Sequence, residues 1–144
     1  ELGARTGFLL CTSPPAALLS EHDVVIAPLV GAEVITGSTR MKAGTATKLV
    51  LNTITTGAMV RIGKVYSNLM VDLQVTCEKL RDRGERILSE LLNLDQPAAA
   101  ALLDRASGDV KTALVMAHLD IDAKEALGRL DAAGGVISTL IGDL

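Results

Sequence analysis

The sequence predicts an α/β chain that is mostly helical. About two strands of a parallel sheet come first, long helices follow, and a small helical module closes the chain. Three observations carry this reading. Two short apolar runs, Arg5 to Cys11 and Val24 to Ala27, flank a segment that opens on Pro14-Pro15. From Ser38 a long proline-free stretch carries apolar side chains three or four apart, the spacing of one helix face. Beyond Pro97 the pattern shortens to helical segments separated by Gly- and Asp-containing turns.

Each element has a local reason. Arg5 to Cys11 is an apolar run bounded by Gly3 and by Ser13-Pro14-Pro15, as a buried strand is. The two prolines suit the first turn of a short helix, where their missing amides do no harm, and that helix covers Ala16 to Glu21. Val24 to Ala27 is a second strand, stopped by Pro28. Two strands joined through a helix predict a βαβ crossover in a parallel sheet. Such a pair is not stable alone, so its neighbours must come from residues outside this chain or from another copy.

Residues 28–39, PLVGAEVITGST, then lie just past a strand's C-terminal end, where open parallel sheets bind ligands. Glu33 stands there among apolar residues. A carboxylate so placed is either a hydrogen-bonding anchor or a site residue. Buried carboxylates are usually paired structural groups, which favours the anchor. Ser38 or Thr39 is the expected N-cap of the next helix. Arg40, Lys42 and Lys48 put cations near that helix start, where the dipole disfavours them. Helix-terminal amides, hydroxyls and cations together suit a phosphate or carboxylate. A plain capped helix with solvated basic residues accounts for the same pattern.

The helix from Ser38 carries Leu49, Val50, Ile54, Ala58 and Met59, with Leu51 and Val60 broadening the apolar surface. It should be buried over much of its circumference, with Asn52 and Thr56 hydrogen-bonded in the core. Gly63 ends or bends it. A second long helix is expected from about Ser67 to Leu92, on steps of four and seven through Leu69, Leu73, Leu80, Ile87 and Leu91. Its other side, Glu78 to Glu85, is a mixed-charge solvated face. Residues 93–97 form a boundary. Helical segments then cover Pro97 to Ala106, Val110 to His118 (capped by Asp109), Asp120 to Ala133 and Val136 to Ile141. His118, near a helix end with no metal-binding neighbours, reads as a surface or capping residue.

Composition excludes several functions. The 144 residues are 49% apolar, enough for a sizeable core, and the net charge of -3 argues against a general nucleic-acid binder. Phe8 and Tyr66 are too few for base stacking. Cys11 and Cys77 show no metal spacing and read as free thiols in a reducing cytoplasm. No run approaches a membrane span and no signal peptide is visible.

The run EVITGSTRMKAGTATKLVLN, followed by TTGAMVRIGKVYSNLMVDLQ, closely resembles the N-acetylmuramic acid 6-phosphate etherases, bacterial members of the sugar isomerase (SIS) superfamily. The close match spans roughly forty residues and extends more loosely over the chain. The resemblance implies cleavage of the D-lactyl ether of N-acetylmuramic acid 6-phosphate, in cell-wall sugar recycling. The products are N-acetylglucosamine 6-phosphate and D-lactate. No metal or redox cofactor is implied. The implied partners are a phosphorylated amino sugar and a second copy in a homodimer, in the cytoplasm, with neither nucleic acid nor membrane. Family members are about twice as long, so the chain corresponds to a C-terminal half; its opening on Glu1 rather than Met fits a fragment.

On that basis residues 1–66 are the C-terminal part of a SIS sugar-phosphate domain, 67–94 a long connecting helix and 95–144 a small module resembling ubiquitin-associated (UBA) domains. The family's acid–base glutamates belong to its other half and match nothing here, which leaves Glu33 a weak catalytic candidate and this chain inactive alone. Gly37, Ser38, Thr39, Lys42 and Thr45 are the expected substrate-binding residues. One departure from the family is Ala32, where a proline usually precedes the residue matching Glu33. Two other readings stand beside this one: a non-catalytic phosphosugar-binding regulatory domain, and a dimerisation or scaffold fragment.

Overall fold

A computed structural model describes residues 3–142. It divides into two units, Glu1–Thr56 and Gly57–Leu144. In the first, β1 (Gly7–Leu9) leads through α1 (Ala16–Glu21) to β2 (Val24–Ile26). The strands pair in parallel, Phe8 opposite Val25, as the crossover pattern predicts. Thr6 closes the start of the ladder: its amide and hydroxyl both donate to Asp23 Oδ2, at 2.7 and 3.1 Å.

Helix α2 (Lys42–Arg61) follows and runs across the boundary between the units. It starts four residues later than predicted, because Ile35 to Ser38 forms a turn instead. Its expected burial is also absent. No α2 residue is buried; Leu49, Leu51, Ile54 and Met59 are about half exposed, and Asn52 and Thr56 are exposed. The apolar residues are present, but the surface they would pack on is not among the described residues.

The second unit opens on the end of α2. Gly63, with φ +73°, donates to Val60 O, and Lys64 donates to Met59 O. This paired closure satisfies carbonyls that the helix leaves open and needs a left-handed residue, which glycine supplies. The long helix expected from Ser67 is not observed. A two-residue hairpin stands there instead, β3 (Val65–Tyr66) against β4 (Leu69–Met70), turned at Ser67 with φ 52°. An extended segment follows in which Val71 and Leu73 are buried while Asp72 and Gln74 are not. Leu69 and Leu73 fit a helical step of four, but they fit strand alternation equally well. The β-branched Val71, Val75 and Thr76 favour the strand.

Helix α3 (Glu78–Leu92) is therefore shorter than predicted, though its stripe is the expected one: Ile87 and Leu88 face the core and the charged side faces solvent. Three short helices follow, α4 (Gln96–Arg105), α5 (Val110–Leu119) and α6 (Ala123–Ala132), then α7 (Ser138–Ile141). Asp95, Asp109 and Asp122 each cap one start, accepting from Ala98, Thr112 and Glu125 amides at 2.9, 2.6 and 2.8 Å. Helix α5 is the centre of this unit, buried without interruption from Val110 to Met116. Gly84 lets it approach α3; a Cβ there would lie 3.1 Å from Val110 Cγ2. His118 lies at the exposed end of α5, its Nδ1 3.1 Å from Leu114 O.

Candidate functional site

The segment between β2 and α2 is held by its own side chains. Both oxygens of Glu33 accept main-chain amides from the first turn of α2: Oε2 from Lys42 at 2.9 Å and Oε1 from Ala43 at 3.1 Å. These amides have no partner within the helix. Glu33, nine residues upstream, is thus the cap expected of Ser38 or Thr39. Donation by the Lys42 amide, then by that of Ala43, holds the Glu33 carboxyl below its ordinary range. The Lys42 ammonium returns the contact, donating to Ala32 O at 2.8 Å. Residues 32–43 are tied at both ends into a closed loop.

The rim of that loop carries the predicted binding residues. Ser38 N donates to Ile35 O at 3.0 Å, and Gly37 takes φ +82° at the third position of the turn, which a side chain would strain. Gly37, Ser38 and Thr39 line one hollow of about 520 Å³. Lys42 and Thr45 line a neighbouring one of about 590 Å³, and Arg40 belongs to both. Glu33 and Thr39 line a third, of about 360 Å³, shared with Cys11, Thr12 and Thr47. Among the described residues, no hydrogen bond engages the hydroxyls of Ser38, Thr39 or Thr45.

Three of these lining residues were not among the site residues expected from sequence. Cys11 and Thr12 follow β1 after Leu10, and Thr47 stands one helical turn after Ala43. Cys11 Sγ lies 3.5 Å from both Ala43 O and Thr47 Oγ1, joining the strand end to α2. The signal was available: ligands gather beyond the carboxyl ends of parallel strands, and β1 is one of the two. Among the described residues no group of three His, Cys, Asp or Glu converges as a metal site, and no helix is long and apolar enough to cross a membrane.

Chemically, the arrangement offers free hydroxyls, tight main-chain turns and two exposed cations, Arg40 and Lys42. Glu33 is ionised and doubly bonded, a poor donor or acceptor of protons near neutral pH.

The chain resembles curated relatives over nearly all its length. It is 54% identical over 140 residues to a protein of Salinibacter ruber, 97% of this chain and 45% of that one. It is 50% identical over 137 residues to one of Gloeobacter violaceus, 95% of this chain and 44% of that one. A protein of Symbiobacterium thermophilum is 55% identical over 115 residues, 80% of this chain and 38% of its own. Each of the three is named N-acetylmuramic acid 6-phosphate etherase. The chain spans somewhat under half the length of these relatives. No protein-family model matches it.

Proposed function

We propose that this chain is a segment of an N-acetylmuramic acid 6-phosphate etherase and forms one wall of such an enzyme's site. The whole protein is a carbon–oxygen lyase acting in cell-wall sugar recycling. It cleaves the lactyl ether of N-acetylmuramic acid 6-phosphate by elimination and hydration. The open-chain sugar's C1 carbonyl acidifies the C2 proton. A base removes that proton, D-lactate leaves from C3 with help from an acid, and water adds back to give N-acetylglucosamine 6-phosphate. Two acid–base groups and fixed donors to the anionic parts suffice for this path. The acid–base pair lies outside this chain. Gly37, Ser38, Thr39, Lys42 and Thr45 face the substrate: the hydroxyls bond the sugar, Gly37 allows close approach, and the Lys42 ammonium attends the negative charge.

The observation that carries this reading is the 54% identity to an etherase over 97% of the chain. Free hydroxyls on a braced loop at the strands' carboxyl ends support it. In this reading the β1–β2 pair is part of a SIS sheet, and the exposed apolar side of α2 is covered by the rest of that domain and by a second copy in a homodimer. Helices α4 to α6 are a UBA-like module with a packing role, and the enzyme is cytoplasmic.

The test replaces the matching segment of the Salinibacter ruber relative with this chain. D-lactate release from N-acetylmuramic acid 6-phosphate is then compared with that of the unaltered relative. Release by both is expected. Ser38→Ala and Thr39→Val should each lower kcat/KM about fivefold to tenfold, the value of one hydrogen bond to substrate. Saturable binding of the phosphosugar without lactate release would replace this reading with a regulatory sensor. Self-association with neither binding nor release would leave a scaffold.

A further inference from the structure

We propose that Glu33 is a resident anion. It fills the anion-binding position at the start of α2, so a phosphate is excluded there and the adjoining cavity takes an uncharged part of the ligand. The phosphoamino-sugar class of that ligand rests on the reading above; the role of Glu33 does not.

A helix start attracts phosphate because its first amides point outward without partners and its dipole is positive there. In α2 that position is taken. The two Glu33 oxygens stand on the Lys42 and Ala43 amides at 2.9 and 3.1 Å, as two phosphate oxygens would. The carboxylate cannot swing aside easily, because the preceding residue, Ala32, is held through its carbonyl by Lys42 Nζ at 2.8 Å. An incoming phosphate would meet a fixed negative charge within a few ångströms. The Lys42 ammonium on Ala32 O offsets part of that charge, but both amides are already taken by Glu33, so a phosphate there meets repulsion without gaining the helix-start bonds.

The cavity beside Glu33 has matching chemistry. Its polar walls are the uncharged Cys11, Thr12, Thr39 and Thr47, with Glu33 as the one charged residue lining it. Such a cavity offers hydroxyls and main-chain groups to sugar hydroxyls or an acetamido group, and no cation to a phosphate. The cations Arg40 and Lys42 line a separate hollow and do not line this cavity, though the Lys42 ammonium, on Ala32 O, also acts on the Glu33 charge. Glu33 thereby sorts the ligand: neutral groups toward Thr12, Thr39 and Thr47, anionic groups toward Arg40. It is a positioning residue and not an acid or base.

The experiment is amide NMR of the chimera described above, in which the rest of the Salinibacter ruber relative covers the strand pair and α2, with the 144 residues of this chain isotope-labelled, titrated separately with uncharged N-acetylglucosamine and with inorganic phosphate. In the unaltered chain, N-acetylglucosamine should move the Thr12, Thr39 and Thr47 amides, unchanged by saturating phosphate. Phosphate should leave the Ala43 and Gly44 amides in place. In Glu33→Ala, phosphate should move Ala43 and Gly44, with at least tenfold tighter binding than in the parent. Glu33→Gln keeps the shape and one acceptor, and should show a smaller gain in the same direction. Phosphate binding at Ala43 and Gly44 in the unaltered chain, or no gain in Glu33→Gln, overturns the proposal. The lactate assay of the chimera judges the etherase reading separately. Lactate release together with phosphate at Ala43 would sink the role of Glu33 alone; the expected titrations without lactate release would sink the etherase reading alone.

Discussion

Glu33 gives the chain a pH-dependent joint. Its native carboxyl titrates below the ordinary value of 4.5, because the Lys42 and Ala43 amides bond the charged form. The stabilisation is therefore complete above about pH 4.5 and is lost as pH falls through the lower native value. The Lys42 and Ala43 amide resonances should follow this titration with a midpoint below 4.5; a midpoint at or above it would show that the bonds contribute nothing. Gly63 is constrained twice. Its φ is positive, and a Cβ would collide with Gly135 O and lie 2.8 Å from Gly135 C. Gly63→Ala should cost about 2 kcal/mol or more in urea unfolding, whereas Gly128→Ala, an open helical position, should be neutral or stabilising.

Asp72 is bonded by Lys64 and lies 3.5 Å from Lys111, whose side chain is 10% exposed. The hydrogen bond from Lys64, with the Lys111 charge behind it, holds the Asp72 carboxyl below 3.8 against the opposing effect of burial. Asp72→Ala strands the buried ammonium and should cost about 2–3 kcal/mol, while Asp72→Ala with Lys111→Met should recover part of that. Equal losses in the single and double variants would mean that the pair is not coupled.

At the scale of elements, the sequence was legible where a signal had one reading. Pro14-Pro15 announced α1, found at Ala16–Glu21, the span expected. Asp109 announced the start of α5, and Gly63 the end of α2. Asp109→Ala should cost about 1–2 kcal/mol, since the helix it caps is the buried centre of its unit; a loss under a few tenths would mean that water replaces the cap. The hairpin at Ser67 was missed because leucines four apart also suit alternating strands, and Ser67-Asn68 is a weaker turn signal than Asn-Gly. Within the candidate site, the hydroxyl-bearing rim was legible from residue types. Glu33 as a hydrogen-bonding anchor was legible too, but not that it caps α2, because the cap reaches across nine residues and capping rules look only three ahead.

Across the molecule, the two units differ in what they bury. No described residue of the first is fully buried, whereas the second has a continuous core through Val71, Leu88, Leu103 and Leu114. Amide hydrogen exchange should show protection concentrated in α3 to α6, with β1 and β2 exchanging far faster, as a lone strand pair must. Comparable protection in both units would require a cover for the first that the chain itself supplies.

The same contrast bears on how the polypeptide would fare in a cell. All but Met70 and Leu127 of the large apolar side chains left exposed among the described residues lie at or before Ile62. Chaperones and degradative proteases recognise such surface, and open backbone lets a protease begin. Turnover of the isolated polypeptide should start before Ile62, and its lifetime should lengthen with whatever covers α2, while the well-packed remainder contributes little to the rate.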